Sequence, residues 1–548
     1  MRSIDAKIDK ALREKTDRLG GGVPAPQGNW PDRVEAKYTA SLVEKNPASV
    51  NPAYTELRYK PADEQRDAAA RLAAFEELES NPEARVMTLE GSFQQAHETS
   101  REYLNAEEEY ILAAIRLLVQ RHAFDPQLFA DIATTYNHIQ NDGKRSMTAR
   151  LLAEAGVKQQ LTTGGDVSAR WVWDATENLR SSATDRYTQA SQLVLAGNIP
   201  LLRNAGYIAE ESLIQAERDT IYAARDFETF RREFLVSLAR DYFQLLQGLD
   251  GIDSQTRQLE SFRDLEKRQR AWYEAGLLPE FEVNLAINNA LQAQANLSNI
   301  KEAYILALDR FKVRLGLDVR VPIRINQEEF TVLEPDISLD QATEKALEFR
   351  LDLQNRRDRL SDTKRAVANA KNQLLPDLGL AGAVTFPTKS DNLVNEGGSV
   401  YEFDDVQFVG TATLSLPLDR ESERLNLRAA TIRELQARRD FDRFRDELIL
   451  DVRAKTREID RARLNLTLAE ERVKINQRRQ EEQSLKPDEV TTQQQVDTAN
   501  DLREAEGARN QARADLRNAV LDFLLATGQL RVQVDGRFQP LPGMQDEK

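Results

Sequence analysis

The chain has 548 residues, no cysteine and a formal net charge of −15. Charged residues make up 30% against 41% apolar, and mean hydropathy is −0.58, which excludes a membrane-buried helical protein. No run approaches the ~18–20 apolar residues of a spanning helix, whereas a β-barrel stays open, because its strands need only about 9–11 residues of alternating character. Missing cysteine removes disulfides, thiolate metal sites and a Cys nucleophile, and the acidic balance argues against a nucleic-acid binder.

Met1–Leu19 is charged and has no apolar h-region, so the export signal is expected to be absent from this chain. Residues 1–85 read as an irregular N-terminal arm, because Gly20-Gly21-Gly22, Pro24, Pro26, Pro31, Pro47 and Pro52 break any long helix. Beyond the arm, long Ala/Leu/Glu/Arg/Gln-rich segments alternate with shorter ones rich in Gly, Thr, Val and aromatics.

An internal repeat organises the rest. Thr88-Leu89-Glu90, Ala96 and Asn105 recur 250 residues later as Ser338-Leu339-Asp340, Ala346 and Asn355. ARDFETFRREF (Ala224–Phe234) recurs 214 residues later as RRDFDRFRDEL (Arg438–Leu448), and Ile199-Pro200-Leu201 matches Leu416-Pro417-Leu418. The copies close on Leu315-Gly316-Leu317 and Thr527-Gly528-Gln529-Leu530. The changing offset puts the insertions in connections. The boundaries read as 86–325 for the first copy, 326–336 for a linker, 337–532 for the second copy and 533–548 for a tail.

Each copy is expected to run helix, two strands, long helical hairpin. Ser338 with Gln341 is a capping-box pattern, and Pro376 ends the helix that follows. Phe408, Gly410, Ala412, Leu414, Leu416 and Leu418 then alternate with Gln407, Val409, Thr411, Thr413 and Ser415. Leu193, Leu195, Gly197, Ile199 and Leu201 repeat the pattern in the first copy. A period of two fits either a half-buried sheet or barrel strands with lipid on one side and a wet lumen on the other.

The next segments are long. Tyr207–Gly248 lacks proline and almost lacks glycine, a second run goes from Thr256 towards Ala275, and Glu421–Lys486 has neither residue. A run of ~65 residues spans roughly 100 Å as a helix, so its apolar stripe needs other long helices to bury it. Phe227, Phe230, Phe234, Leu238 and Phe243 form one stripe, and Phe441, Phe444, Leu448 and Val452 form its counterpart; these are packing positions. His97, His122 and His138 lack metal-ligand spacing, and there is no GxxxxGK[ST], HExxH or GxSxG. No catalytic, cofactor or metal residues are assigned, and an enzyme is not expected.

These features together resemble the TolC-like outer-membrane efflux proteins, the exit ducts of tripartite pumps and type I secretion systems. The resemblance rests on ISLDQATEKAL (Ile337–Leu347), NQLLPDLGLAG (Asn372–Gly382), NIPLLRNAG (Asn198–Gly206), AGLLPEFEV (Ala275–Val283) and SLKPDEV (Ser484–Val490), in order and duplicated across about residues 86–532. It implies a homotrimer with a mainly α fold: an α-helical tunnel crossing the periplasm and a twelve-stranded β-barrel in the outer membrane, four strands per protomer. It also implies a passive channel that uses no cofactor and works with a periplasmic adaptor and an inner-membrane transporter. Leu195, Leu414 and Leu416 would face lipid. Residues 326–336 and the chain ends would form an equatorial region.

At the periplasmic tips the resemblance marks Glu489 as a gate position, and Asp488, Glu282 and Glu280 are expected to join it in an acidic ring where the hairpins converge. Leu277, Leu278, Pro279, Leu485, Lys486 and Pro487 become the adaptor-docking positions. The sequence departs from the family where Glu282-Val283 and Glu489-Val490 replace Asp-Val, where the second tip lacks its Gly, and where Thr492 stands at a second acidic position. Carboxylates at a helix start also simply complement its dipole, so gate and dipole readings both stay open for them. A long coiled-coil scaffold without a barrel is the competing function; it predicts no amphipathic strand pairs between the helices.

Overall fold

The computed structural model describes residues 73–141, 144–178, 187–327, 338–388, 404–485 and 490–532, with isolated positions elsewhere. Most of the N-terminal arm, residues 328–334 of the linker, Lys486–Glu489 and most of the tail lie outside the described residues.

A short helix α1 (Ala74–Ser80) and strand β1 (Arg85–Met87) lead into α2 (Leu89–Thr99) and α3 (Arg101–His122). Strands β2 (Gln127–Asn141), β3 (Lys144–Gln160), β4 (Asp166–Asn178) and β5 (Tyr187–Pro200) follow, then the long helices α4 (Glu211–Glu274) and α5 (Glu280–Leu315). After β6 (Ile323–Ile325) the second copy supplies α6 (Leu339–Phe349), α7 (Leu351–Asn372), β7 (Asp377–Pro387), β8 (Gln407–Ser415), α8 (Glu421–Leu485) and α9 (Thr492–Ala526). The two-residue strands β9 (Arg531–Val532) and β10 (Phe538–Gln539) close the chain as an antiparallel pair.

The helices of the two copies match almost residue for residue. α2 and α6 have 11 residues, α3 and α7 have 22, α4 and α8 have 64 and 65, α5 and α9 have 36 and 35. Thr88 caps α2 by accepting from Gly91 N, and Ser338 and Gln341 form the expected capping box on α6.

Two expectations are corrected. Among the described residues the first copy contributes four strands rather than two to one sheet, which therefore holds six, not four. The offset between copies is 250 at Arg101 and Leu351 and falls to 210 at Glu211 and Glu421, so the additional residues of the first copy lie in the strand region and fold as strands instead of lengthening a loop. The second correction concerns α4, which runs unbroken through Gly248 and Gly251. A Cβ on Gly248 would meet the Tyr304 ring at 3.0 Å, so that glycine admits a close approach of α5 instead of ending a helix.

The chain divides into two compact units, each drawing on both copies. One unit holds Tyr110–Ala224 and Gln354–Asp442, hence the whole six-stranded sheet; the other holds the remaining helix, including Arg225–Leu353 and Arg443 onwards. In the sheet unit, α3, α4 and α7 are tied by polar contacts. Arg121 pairs with Glu217 at 3.1 Å, and Arg365 pairs with Asp362 at 2.6 Å and Glu211 at 3.3 Å. The Tyr222 hydroxyl donates to Asp362 at 2.5 Å; burial, then this bond to a carboxylate, pushes the Tyr222 phenol well above its ordinary pKa.

In the helical unit an aromatic core joins the start of α3 to α4. Tyr103 lies 5.7 Å from Phe227 and 5.9 Å from Phe234, ring centre to ring centre. Tyr242 donates to the Asn326 carbonyl at 2.8 Å, where the linker begins, beside the parallel β1–β6 pair. Polar side chains then stitch α4 to α9, with Gln247–Gln511 at 2.6 Å and Gln258–Asn500 at 2.7 Å.

The two closing turns repeat one packing solution. Gly316 and Gly528 both take left-handed backbone, φ 76° and 69°. A Cβ on Gly316 would lie 1.9 Å from the Thr99 carbonyl, and one on Gly528 would lie 3.0 Å from the Phe349 carbonyl carbon. Thr99 and Phe349 are the equivalent ends of α2 and α6. Each copy therefore seats its final turn against the break between its first two helices.

Candidate functional site

Two regions carry the chemistry expected of this chain: the sheet and the tip of the first helical hairpin. The sheet is antiparallel throughout, in the order β2-β3-β4-β5-β7-β8. Every strand except β8, which has nine residues, is 11 to 17 residues long. All reach the ~9–11 residues a tilted strand needs to cross a membrane.

The register assigns each residue to a face. Leu128 pairs with Val157, Ile132 with Ala153 and Thr134 with Leu151. Ala153 continues to Trp173, and Ala155 to Trp171. Trp171 continues to Leu193, and Ala169 to Leu195. Leu193 then meets Phe386, Leu195 meets Val384, Val384 meets Phe408, and Leu378 meets Leu414. One apolar face thus extends unbroken across six strands, with Leu128 84%, Ile132 77% and Phe408 77% exposed. Leu195 and Leu414 share that face; Leu416 is exposed too, but lies just beyond β8.

The opposite face is mostly polar or small, though Phe129, Leu152, Val172, Val194 and Val409 also lie on it, and its charges are unevenly spread. β3 and β4 carry Arg150, Glu154, Lys158, Arg170 and Asp174, with Arg150 paired to Asp174 and Arg170 to Glu154 at 3.7 Å. β2 adds Asp131 directly opposite Glu154. Along β5, β7 and β8 the same face shows mostly Ala, Gly, Thr and Gln, with Asp377 at the start of β7.

Polar locks join the sheet to the helices of its unit, and two landmarks of the sequence meet there. Arg203 donates to Gln373 at 2.8 Å, Asn204 N donates to the Asn372 side chain at 2.9 Å, and Asn372 donates to the Leu202 carbonyl at 3.2 Å. Asn204, at φ 62°, is the single non-glycine residue with left-handed backbone among the described residues. Its strain is held by this cluster.

At the first tip, Gly276 takes φ 75° and ends α4. Gly276 N bonds Tyr273 O and Leu277 N bonds Trp272 O, both at 2.9 Å, the pattern of a glycine-terminated helix. Pro279 starts α5, and Glu280 and Glu282 occupy its first turn, where they face the positive end of the helix dipole. Leu277 is 75% exposed and Phe281 66%; Leu278 is half-buried. At the second tip Leu485 ends α8 and is exposed. Lys486, Pro487, Asp488 and Glu489 lie outside the described residues. Thr491 caps α9 in a capping box with Gln494, and Thr492 is buried.

The histidines stay apart: His97 lies against Tyr103, His122 sits 3.3 Å from Asp125, and His138 is on β2. Among the described residues no group of His, Asp and Glu converges as a metal site, and no helix is long and apolar enough to cross a membrane.

No protein-family model matches the sequence, and no curated relative does. Solved structures do match. The Campylobacter jejuni CmeC outer membrane channel aligns with a TM-score of 0.62 at 16% identity, over 80% of this chain and 85% of its own. The outer-membrane channel OprN aligns at 0.62 and 15%, over 83% and 92%. CusC, described by its transmembrane channel formation, aligns at 0.60 and 10%, over 80% and 92%. The chain has the fold of the TolC-like outer-membrane efflux channels. At these identities the likeness concerns the fold alone.

Proposed function

We propose that this protein is one third of a homotrimeric outer-membrane exit duct, passing small molecules or proteins through a helical tunnel and a β-barrel. The observation that carries this reading is the unbroken apolar face across six strands of one sheet, with a polar face behind it. A sheet with one water-avoiding and one water-bearing face is what a barrel wall requires. The scaffold alternative predicts no such strands and loses its support. The channel fold favours a passive conduit. Its work would come from an inner-membrane transporter reached through a periplasmic adaptor.

The docking positions in this reading are Leu277, Leu278, Pro279, Leu485, Lys486 and Pro487. The exposure of Leu277 and Leu485 supports them. Glu280, Glu282, Asp488 and Glu489 would ring the periplasmic opening and attract cations, while Glu280 and Glu282 also complement the start of α5. Reconstitution in planar bilayers tests the function. Ion conduction is expected, with cation selectivity that weakens when Asp488→Asn and Glu489→Gln are combined. A preparation that never inserts or conducts overturns the duct; unaltered selectivity leaves the tip carboxylates to the helix dipole alone.

A further inference from the structure

The sheet has two open edges, and both look built to be covered. Among the described residues β2 and β8 end the strand order. Soluble proteins blunt edges with Pro, Lys, bulges or inward charges. β2 has no Pro or Lys and one acidic residue, Asp131, and β8 has no charged residue at all. Inside a membrane an unpaired edge is costlier still, since no water satisfies its N–H and C=O groups. With six strands alternating in direction, β2 runs opposite to β8, so β2 of one copy can pair antiparallel with β8 of the next.

The position of the extra strands decides what such closure produces. The turn from α3 into β2 copies the turn from α7 into β7: Pro126 precedes Gln127-Leu128 as Pro376 precedes Asp377-Leu378, and both strands begin on the following residue. At the other end, β5 feeds α4 through Ile199-Pro200-Leu201 as β8 feeds α8 through Leu416-Pro417-Leu418. β2 and β5 are therefore the counterparts of β7 and β8. The additional pair, β3 and β4, lies between them inside the sheet rather than appended to its edge.

We infer that three copies of this chain close an eighteen-stranded barrel through a β2–β8 seam, six strands from each copy. The inference rests on the proposed trimeric duct and changes its bore. With strands ~4.8 Å apart and tilted about 40°, eighteen strands enclose a backbone diameter of about 36 Å, against about 24 Å for twelve. The charges lining that bore come chiefly from the inserted strands: Arg150, Glu154, Lys158, Arg170 and Asp174. The insertion thus both widens the barrel and supplies most of the charge on its polar face.

The absence of native cysteine makes the seam directly testable by paired cysteines on the polar face. One grid combines Ala133→Cys, Thr135→Cys or Asn137→Cys on β2 with Val409→Cys, Thr411→Cys or Thr413→Cys on β8. A second grid combines Ser168→Cys, Val172→Cys or Thr176→Cys on β4 with the same β8 positions. Each variant is oxidised in the outer membrane and run on a non-reducing gel. The expected result is inter-chain cross-linking into covalent trimers in the first grid and none in the second. Cross-linking of β4 to β8 overturns the inference, because the ring would then close without β2 and β3. A stable trimer that cross-links in neither grid overturns it equally. A chain that stays monomeric throughout fails the duct reading itself, a distinguishable outcome. Deleting 142–178 to join β2 to β5 provides a second measurement. It should preserve the trimer and the β2–β8 cross-link and shrink the largest polyethylene glycol that enters the pore; an unchanged size limit contradicts the wider barrel.

Discussion

The long helices α4 and α8 descend from the same segment and live in different surroundings. In α4, Glu228 and Arg231 are 2% and 4% exposed and form an ion pair with each other, with Arg232 on the same carboxylate. Their counterparts in α8, Asp442 and Arg445, lie open. Apolar residues differ in the same way. α4 buries Phe227, Phe234, Leu238, Tyr242, Phe243, Ile252 and Phe262, whereas α8 exposes Leu425, Ile432, Leu435, Leu450, Leu464, Leu468 and Ile475. An α-helix with an apolar stripe this long gains stability only by burying it. α4 thus buries most of its apolar stripe within the chain, while α8 leaves an apolar face exposed, the face that the proposed trimer would cover.

Changes at equivalent positions should separate the copies, and the closing glycines give the largest effect. Gly316→Ala drives a Cβ into the Thr99 carbonyl and should cost ~3 kcal/mol or more. Gly528→Ala meets the Phe349–Arg350 backbone at 3.0–3.2 Å, a tight contact that a shift of a few tenths of an ångström relieves, and should cost less: the left-handed backbone penalty of about 1–2 kcal/mol plus that adjustment. Thermal melts of the two variants in detergent check this; equal losses would mean that the two closures are not packed differently.

The sheet faces come next. Leu414→Arg should cost about 2–4 kcal/mol if that face meets lipid near the midplane, while Thr413→Arg on the other face should assemble normally and alter conductance. Equal tolerance at both sites would make the sheet a soluble one. On α8, Leu450→Asp with Leu464→Asp should weaken association between chains by on the order of 1.5–3 kcal/mol per residue while leaving helix content intact. Loss of helicity instead would place those leucines in the core of the single chain. The smallest effect is expected at Tyr222→Phe, which removes one bond to Asp362 but leaves Arg365 in place; about 1 kcal/mol should be lost by denaturation.

The helices were legible because proline and glycine punctuate them and because the copies repeat. Ser338 with Gln341 marked a helix start, and Leu315-Gly316 and Thr527-Gly528 marked the ends. The misread Gly248 shows the limit of that logic: its missing side chain serves the Tyr304 ring, a contact that sequence spacing does not reveal. β2 escaped as well as β3, and β3 did so because TARLLAEAGVKQQ is built of good helix formers. Its strand state comes from pairing with β2 and β4, and tertiary pairing overrides such local preference. Two signals could have exposed it. Met147, Ala149, Leu151, Ala153, Ala155 and Val157 alternate with mostly polar residues, and the offset between the copies falls just where the strands lie. Leu277, Glu280 and Glu282 entered through the family resemblance, and the lock between Asn204 and Asn372 needed the fold to bring two distant landmarks together.

The claim beneath all of these expectations is that a single chain is incomplete, its α8 face and its two sheet edges awaiting other copies. Multi-angle light scattering of the detergent-solubilised protein, corrected for bound detergent, measures this directly. The account predicts a protein mass of three 62.2 kDa chains; a monodisperse particle with the mass of one chain would contradict it.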